Sequence, residues 1–219
     1  MPKRGPAEHR VTLSRQRVIE AGVRLADAQG AEALSMRRLG RELGVEAMAL
    51  YNHVDNKDDL LDGMIEWAAD EIELPEDSTD WRRFTRRRAV SAHAVLMRHT
   101  WLPALWTSRI TLGPVRMRYM DHALRSLREA GFPPDLLDRG YHAIEDHIVG
   151  HAMRAIGFAL DDEQMRQLGE PMLRSSPLAE FPDLVAHIRH HLEQPSHGEG
   201  FEFGLDLILD GLERLRDGS

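Results

Sequence analysis

His147 and His151 stand four residues apart, and His142 with Asp146 sets the same spacing one turn earlier. On a helix each pair shares a face and can chelate zinc or nickel. The pairs form two rows on one helix with no defined third ligand, and no bound metal is expected. There is no cysteine, which removes thiolate sites and disulfides alike. Catalysis has less support still. Glu145 and Asp146 are adjacent, hence on different sides of a helix, unlike the facing carboxylates of an acid–base pair. No nucleophile elbow, phosphate loop, dinucleotide fingerprint or HExxH helix occurs. The chain is expected to be no enzyme and to need no cofactor.

A different chemistry lies in residues 35–57, SMRRLGRELGVEAMALYNHVDNK. Ser35 can cap the free amides of a first helix that buries Met36, Leu39 and Leu43 at spacings of three and four. Gly44 ends it by tolerating the left-handed backbone of a tight corner, and Val45 is an apolar plug between two helices. The second helix, expected from Glu46 to about His53, carries small Ala47 and Ala49, buries Leu50 and projects Tyr51 and His53. Short side chains at its start let the backbone approach base edges in a DNA major groove. The pattern reads as a helix-turn-helix, although a three-helix packing unit without a DNA role shows the same apolar spacing. Charge favours the nucleic-acid reading. Residues 1–54 hold nine Lys and Arg against six Asp and Glu, while the remaining residues hold 19 against 30. A duplex attracts the first part and repels the second.

Periodicity of three to four runs through the chain, and no stretch shows the alternation of a half-buried strand. The expected fold is therefore all-α: an N-terminal three-helix domain with the helix-turn-helix, followed by a helical bundle. The expected division is a flexible basic arm at 1–13, with Lys3, Arg4, His9 and Arg10, a DNA-binding domain at 14–60, and a ligand-binding and dimerisation domain at 61–219. Further helices are expected at 57–74, 80–98, 114–130, 134–157, 182–193 and 201–215, with 158–180 irregular and 101–106 a short helix or loop. The N-terminal stretch has no apolar core of the kind a secretion signal needs, and no run approaches the roughly 18 apolar residues of a membrane span. With no membrane partner expected, the cytoplasm is the natural location.

Two readings follow from side-chain type. Trp67, Met97, Trp101, Trp106, Met117, Met120 and His147 are candidates to line a pocket, since gaps in a bundle core are where ligands bind; all serve equally as plain core. Arg88 and Arg109, if turned inward, would favour an anionic or carbonyl-bearing small molecule. The alternative is a solvated cationic face, which Arg82, Arg83, Arg86 and Arg87 extend. The closing helix is apolar around much of its circumference. Its Phe201, Gly204, Leu205, Ile208, Gly211 and Leu212, with Ile144 and Ile148 of helix 134–157, suit a four-helix bundle across a two-fold axis; a buried core helix of a monomer would look similar.

The segments ADAQGAEALSMRRLGRELGV, AMALYNHVDNKDDLLDGM and FEFGLDLILDGLERL, with HTWL, GP and LREAGF between them, resemble the TetR family of repressors, in particular members with a C-terminal half like that of the tetracycline repressor. The resemblance implies a homodimer that binds a palindromic double-stranded operator and releases it when a small-molecule effector enters the core. It implies that Arg37, beside Arg38, reaches a base or phosphate, that Ser35 caps and donates to phosphate, and that Tyr51, His53 and Lys57 hold the DNA backbone. Ala47, Met48, Ala49 and Asn52 fall in the variable, base-reading part, where apolar side chains offer mainly thymine-methyl contacts. The drug- and metal-binding positions of the tetracycline repressor fall on Arg88, Trp106, Arg109 and Arg154. None of these can replace the imidazole or carboxylate that holds the drug's magnesium, so tetracycline is not the expected effector. A metal-responsive regulator using the histidines of helix 134–157 is the alternative.

Overall fold

The computed structural model describes residues 12–76, 80–109, 112–158, 162–173, 178, 180–193 and 199–218, so most of the basic arm lies outside the described residues. Among them eleven α-helices follow one another and no strand occurs. They are α1 Arg15–Gln29, α2 Met36–Leu43, α3 Ala47–Leu50, α4 Lys57–Ala69, α5 Trp81–Arg98, α6 Leu102–Ser108, α7 Pro114–Glu129, α8 Pro134–Gly157, α9 Asp162–Leu173, α10 Pro182–Glu193 and α11 Glu199–Asp217. None among the described residues is long and apolar enough to cross a membrane. The chain divides into two compact units, Met1–Glu71 with Arg98–Met117, and Ile72–Met97 with Arg118–Ser219.

In the first unit the Ser14 side chain accepts the Arg17 amide and so starts α1, which buries Val18, Ala21 and Leu25. α1 crosses α4 closely because each helix carries a glycine where they meet. A Cβ on Gly22 would lie 2.9 Å from Met64 Sδ, and one on Gly63 would lie 2.7 Å from Ile19 Cδ1. Leu60, Leu61, Met64 and Ile65 supply the α4 side of this core. A second tie reaches α1 from the corner before α6. Asp27 accepts hydrogen bonds from His99 Nδ1 at 2.8 Å and from Trp101 Nε1 at 2.6 Å.

In the second unit α5 buries Trp81, Phe84, Thr85, Arg88, Ala89, Ala92, Val95 and Leu96 at helical spacing. Much of the cationic face of α5 is paired with acids of α11, while Arg83 is exposed. Arg82 meets Asp210 at 2.5 Å and Glu213 at 3.5 Å, and Arg86 meets Asp206 at 3.1 Å and also Glu202, so the acid stripe of α11 lies along it. α8 packs on α11, with Gly140 facing Leu212 and Gly204 facing His147. The segment expected to be irregular contains α9, packed on α10. Pro171 sits in the last turn of α9, where only one amide bond is lost before the helix ends, so a proline-bearing stretch remains helical.

Candidate nucleic-acid interface

The Ser35 hydroxyl accepts the Arg38 amide at 3.3 Å and opens α2. Gly44, at φ 67°, closes it in the left-handed region. The decisive close approach is at Gly40, where a Cβ would lie 2.8 Å from the Val45 carbonyl oxygen and 3.2 Å from the Ala47 amide nitrogen. Gly40 also accepts the Val45 amide at 2.9 Å, so the corner is clamped by backbone alone. α3 is shorter than the expected 46–53 helix. After Leu50 the chain turns through 51–53, with the His53 and Val54 amides both bonded to the Leu50 carbonyl. Buried Leu50 and Val54 draw the backbone inward, and Asn56 caps α4 by accepting the Asp59 amide at 2.9 Å.

This arrangement sorts the cations of the first unit. Arg15 grips both oxygens of Asp59, at 2.6 and 2.7 Å, and donates to the His53 carbonyl at 3.1 Å. Its guanidinium holds the Asp59 carboxyl below the usual carboxylate range. Arg109 binds Asp62 at 2.5 Å and Asp58 at 3.0 Å. The acids on the first turns of α4 are thereby neutralised. Arg38 turns back to Gln29 of α1. Arg37 and Lys57 are exposed and form no ion pair among the described residues. Ser35 and Asn52 are exposed too, as are Met48 at 74% and Tyr51 at 43%, while Ala47, Ala49 and His53 are half-buried.

The residues expected to line a pocket are spread over both units. Trp67, Trp101, Trp106, Arg109 and Met117 belong to the first, and Arg88, Met97, Met120 and His147 to the second. Several have other tasks. Arg109 secures α4, Trp101 is held by Asp27, and Trp106 lies 4.7 Å beneath the Arg116 guanidinium. Met97 and Met117 are exposed. Trp67 lines a cleft of about 430 Å³ with Arg15, Gln16, Ile19, Gly63, Glu66, Asp70 and Val115, within the first unit. The Glu66 carboxylate caps α7 there, accepting the Val115 and Arg116 amides at 2.7 and 3.2 Å.

Arg88 is only 1% exposed and points into the core of the second unit. Its Nη1 meets Glu145 at 2.7 Å, and the guanidinium lies 4.7 Å from the Tyr119 ring centroid. The Tyr119 hydroxyl donates to the same carboxylate, 3.0 Å from each oxygen. Burial works against the Arg88 charge, and Tyr119 and Glu145 outweigh it, so the guanidinium stays protonated. Burial also pushes the Tyr119 hydroxyl well above its usual range. Arg88 Nε is buried without a partner among the described residues. Glu145, Tyr119 and the Gly40 contact carried no local sequence signal, because each gains its role from a residue on another element.

The histidines of α8 do not assemble a metal site. His147 Nε2 bonds the Phe201 carbonyl at 2.8 Å, His151 Nδ1 meets His93 Nε2 at 2.9 Å, and His142 stands 3.7 Å from Asp138 rather than by Asp146. Burial, with His151 and His147 nearby, pushes His93 down to about 4. Burial and then Arg154 lower His151 as well. The described residues contain no group of three side chains able to hold a metal, and the metal-responsive alternative finds no support. Of the residues expected to face a second copy, Ile144, Ile148, Phe201, Leu205 and Leu212 are buried within their own chain, whereas Gly204, Ile208 and Gly211 are half-buried. The inner stripe of α11 takes Leu209 in place of Ile208, leaving Phe203, Leu207 and Leu215 outside.

A backbone-clamped helix-turn-helix with unpaired cations, joined to a second helical unit, defines a helix-turn-helix regulator. Residues 18–64 match the model for bacterial regulatory proteins of the tetR family, and residues 74–216 the model for the tetracyclin repressor-like C-terminal domain. The chain belongs to the TetR family of transcriptional regulators, which are not enzymes. It is 35% identical to the HTH-type transcriptional repressor DrrR1 of Streptomyces coeruleorubidus over 98% of this chain and 81% of that one. It is 30% identical to the class G tetracycline repressor of Vibrio anguillarum over 93% and 95%. Apo ActR of Streptomyces coelicolor superposes with a TM-score of 0.79 at 29% identity over 94% and 97%, and ActR in complex with actinorhodin with 0.77 at 30% over 94% and 99%.

Proposed function

We propose that this chain is a cytoplasmic transcriptional repressor that binds a palindromic operator as a homodimer through residues 14–60 and releases it when a small molecule occupies the helical part at 61–219. The observation that carries the DNA-binding reading is the sorting of charges. Arg15 and Arg109 cancel the α4 acids, which leaves Arg37 and Lys57 unpaired beside the exposed Met48, Tyr51 and Asn52. Arg37 suits guanine or phosphate, and Lys57, in the first turn of α4, suits phosphate. Lys57→Ala is expected to reduce the slope of log affinity against log salt by about one per half-site. Arg37→Ala is expected to lose about 1–3 kcal/mol of operator affinity. Fluorescence anisotropy across a salt series measures both. Unchanged slope and affinity in the two variants would remove this face from the interface.

An outer face that the chain leaves open supports the homodimer. Phe203, 68% exposed, and Leu207, 55% exposed, align with Gly211 along α11, and Gly150 and Met153 lie outward on α8. A Cβ on Gly150 or Gly211 would meet nothing within 4 Å. An apolar strip with small residues is what close packing of a two-fold helix pair needs.

The effector reading rests on the C-terminal match and on relatives such as ActR, whose structure was solved with actinorhodin. Tetracycline does not fit, because Arg88 is committed to Glu145 and Arg109 to Asp58 and Asp62, and neither cation can ligate magnesium. Tetracycline with magnesium is expected to leave operator binding unchanged in a gel-shift titration. Release at micromolar drug would overturn this.

A further inference from the structure

In the second unit, rings from three helices meet at the start of α11. His93 of α5 lies flat on Phe201, with ring centroids 3.9 Å apart and planes 10° from parallel, and His147 of α8 stacks on the same ring at 5.0 Å and 8°. His151, one turn further along α8, meets Phe201 edge-on at 5.4 Å. Phe201 is buried, and its carbonyl accepts a hydrogen bond from His147 Nε2 at 2.8 Å. The first turns of α11 are thus held by histidines.

The tie between His93 and His151 depends on how many protons it carries. His93 Nε2 and His151 Nδ1 stand 2.9 Å apart, and one proton between them makes a hydrogen bond. A second proton would set two cationic N–H groups against each other at that distance, so the doubly charged pair must part. The surroundings oppose that charge. Burial disfavours it on both rings, as do His147 for each ring and Arg154 for His151, all on α8. Arg86 of α5 and its partners Glu202 and Asp206 of α11 neutralise one another. Both rings are held below the ordinary histidine value of about 6.5. The stability of the closed arrangement is therefore complete above that range, and it is lost as the pH falls from there toward about 4, where closed His93 itself takes a proton.

We propose that the His93–His151 pair is an acid-opened latch on the first turns of α11, a pH-sensitive control of the helix that carries the outer apolar strip. Phe203 and Leu207 of that strip follow Phe201 within two turns. Opening the latch frees Phe201 and unsettles the strip, so the homodimer parts more readily in acid and the operator is released without an effector. The latch stands on its own geometry, and only its effect on dimer and operator rests on the homodimer reading above.

The test compares the full-length wild type with His93→Phe, which keeps a ring on Phe201 but no titrating nitrogen, and with His93→Gln, which keeps a hydrogen-bonding group instead. Hydrogen exchange read by mass spectrometry and corrected for intrinsic rates follows the amides of residues 203–209 at about pH 7.5 and about pH 5, on either side of the usual histidine range. The wild type is expected to lose about tenfold in protection on acidification, less than the roughly thirtyfold limit for one such ring because His93 is only half-buried. Both variants should lose less than about twofold. Sedimentation of the same samples should show the dimer weakening in acid in the wild type alone. No loss of protection in the wild type would overturn the proposal, as would the same loss in both variants. Variants equally loose at both pH values would overturn it too, because the ring would then pack without switching. A wild type that sediments as a monomer at both pH values would remove the homodimer reading, while hydrogen exchange still decides the latch.

Discussion

Glu145→Ala is expected to cost the second unit about 3–5 kcal/mol of stability, the range for removing one partner of a buried ion pair. Arg88 is almost fully buried, and its Nε already lacks a partner, so no other described group stands ready to take up the charge. The Tyr119 hydroxyl would lose both of its carboxylate contacts at the same moment. Replacing the pair together, Arg88→Met with Glu145→Leu, should recover the part of the loss due to the uncompensated buried charge, while the cost of the Tyr119 hydroxyl's lost carboxylate contacts remains. Urea unfolding followed by circular dichroism measures the series. Wild-type stability in Glu145→Ala would mean that Arg88 is not the buried, paired cation described here.

Gly40→Val is expected to be the most damaging single change for DNA binding. Its new Cβ would meet the Val45 carbonyl and the Ala47 amide, and backbone atoms cannot swing aside as a side chain can. Overpacking of this kind costs about 1–3 kcal/mol or more, and here the relief is to spread α2 from α3. That movement tilts Met48, Tyr51 and Asn52 away from the positions set by Arg37 and Lys57. Operator affinity should fall at least thirtyfold, roughly 2 kcal/mol, while the helical content of the second unit is retained. Gly44→Ala provides the contrast. Nothing lies within 4 Å of its Cβ, so only the left-handed backbone strain of about 1–2 kcal/mol applies. If Gly40→Val binds the operator as tightly as the wild type, the corner geometry does not set the reading head.

Local signals were legible where the responsible residues are neighbours in sequence. Ser35 and Gly44 marked the ends of α2, and Pro134 and Gly157 those of α8, because caps and breakers act within one turn. Periodicity showed that α11 has two apolar faces, but only packing against α8 decides which is inward. That is why Phe201, Leu205 and Leu212 belong to the core while Phe203 and Leu207 remain outside. The α5 arginines had the composition of a solvated face, and their partners on α11 are more than a hundred residues away. The i, i+4 histidines of α8 matched chelate spacing, yet His93 and the Phe201 carbonyl claim their ring nitrogens from other helices. Of the candidate interface, the helix-turn-helix was readable as a motif. The resemblance pointed to Arg37 and Lys57, whereas the engagement of Arg15 by Asp59 and of Arg38 by Gln29 needed the folded unit, because those partners lie on other elements.

The central claim, that residues 35–57 present a DNA-reading face, is tested most directly by letting the purified full-length protein select from a pool of random duplexes, with Gly40→Val as the control. The predicted result is enrichment of a two-fold symmetric site whose half-sites lie about one helical turn apart, salt-sensitive in binding and lost in the variant. No enrichment above the variant, or binding indifferent to salt, would contradict it.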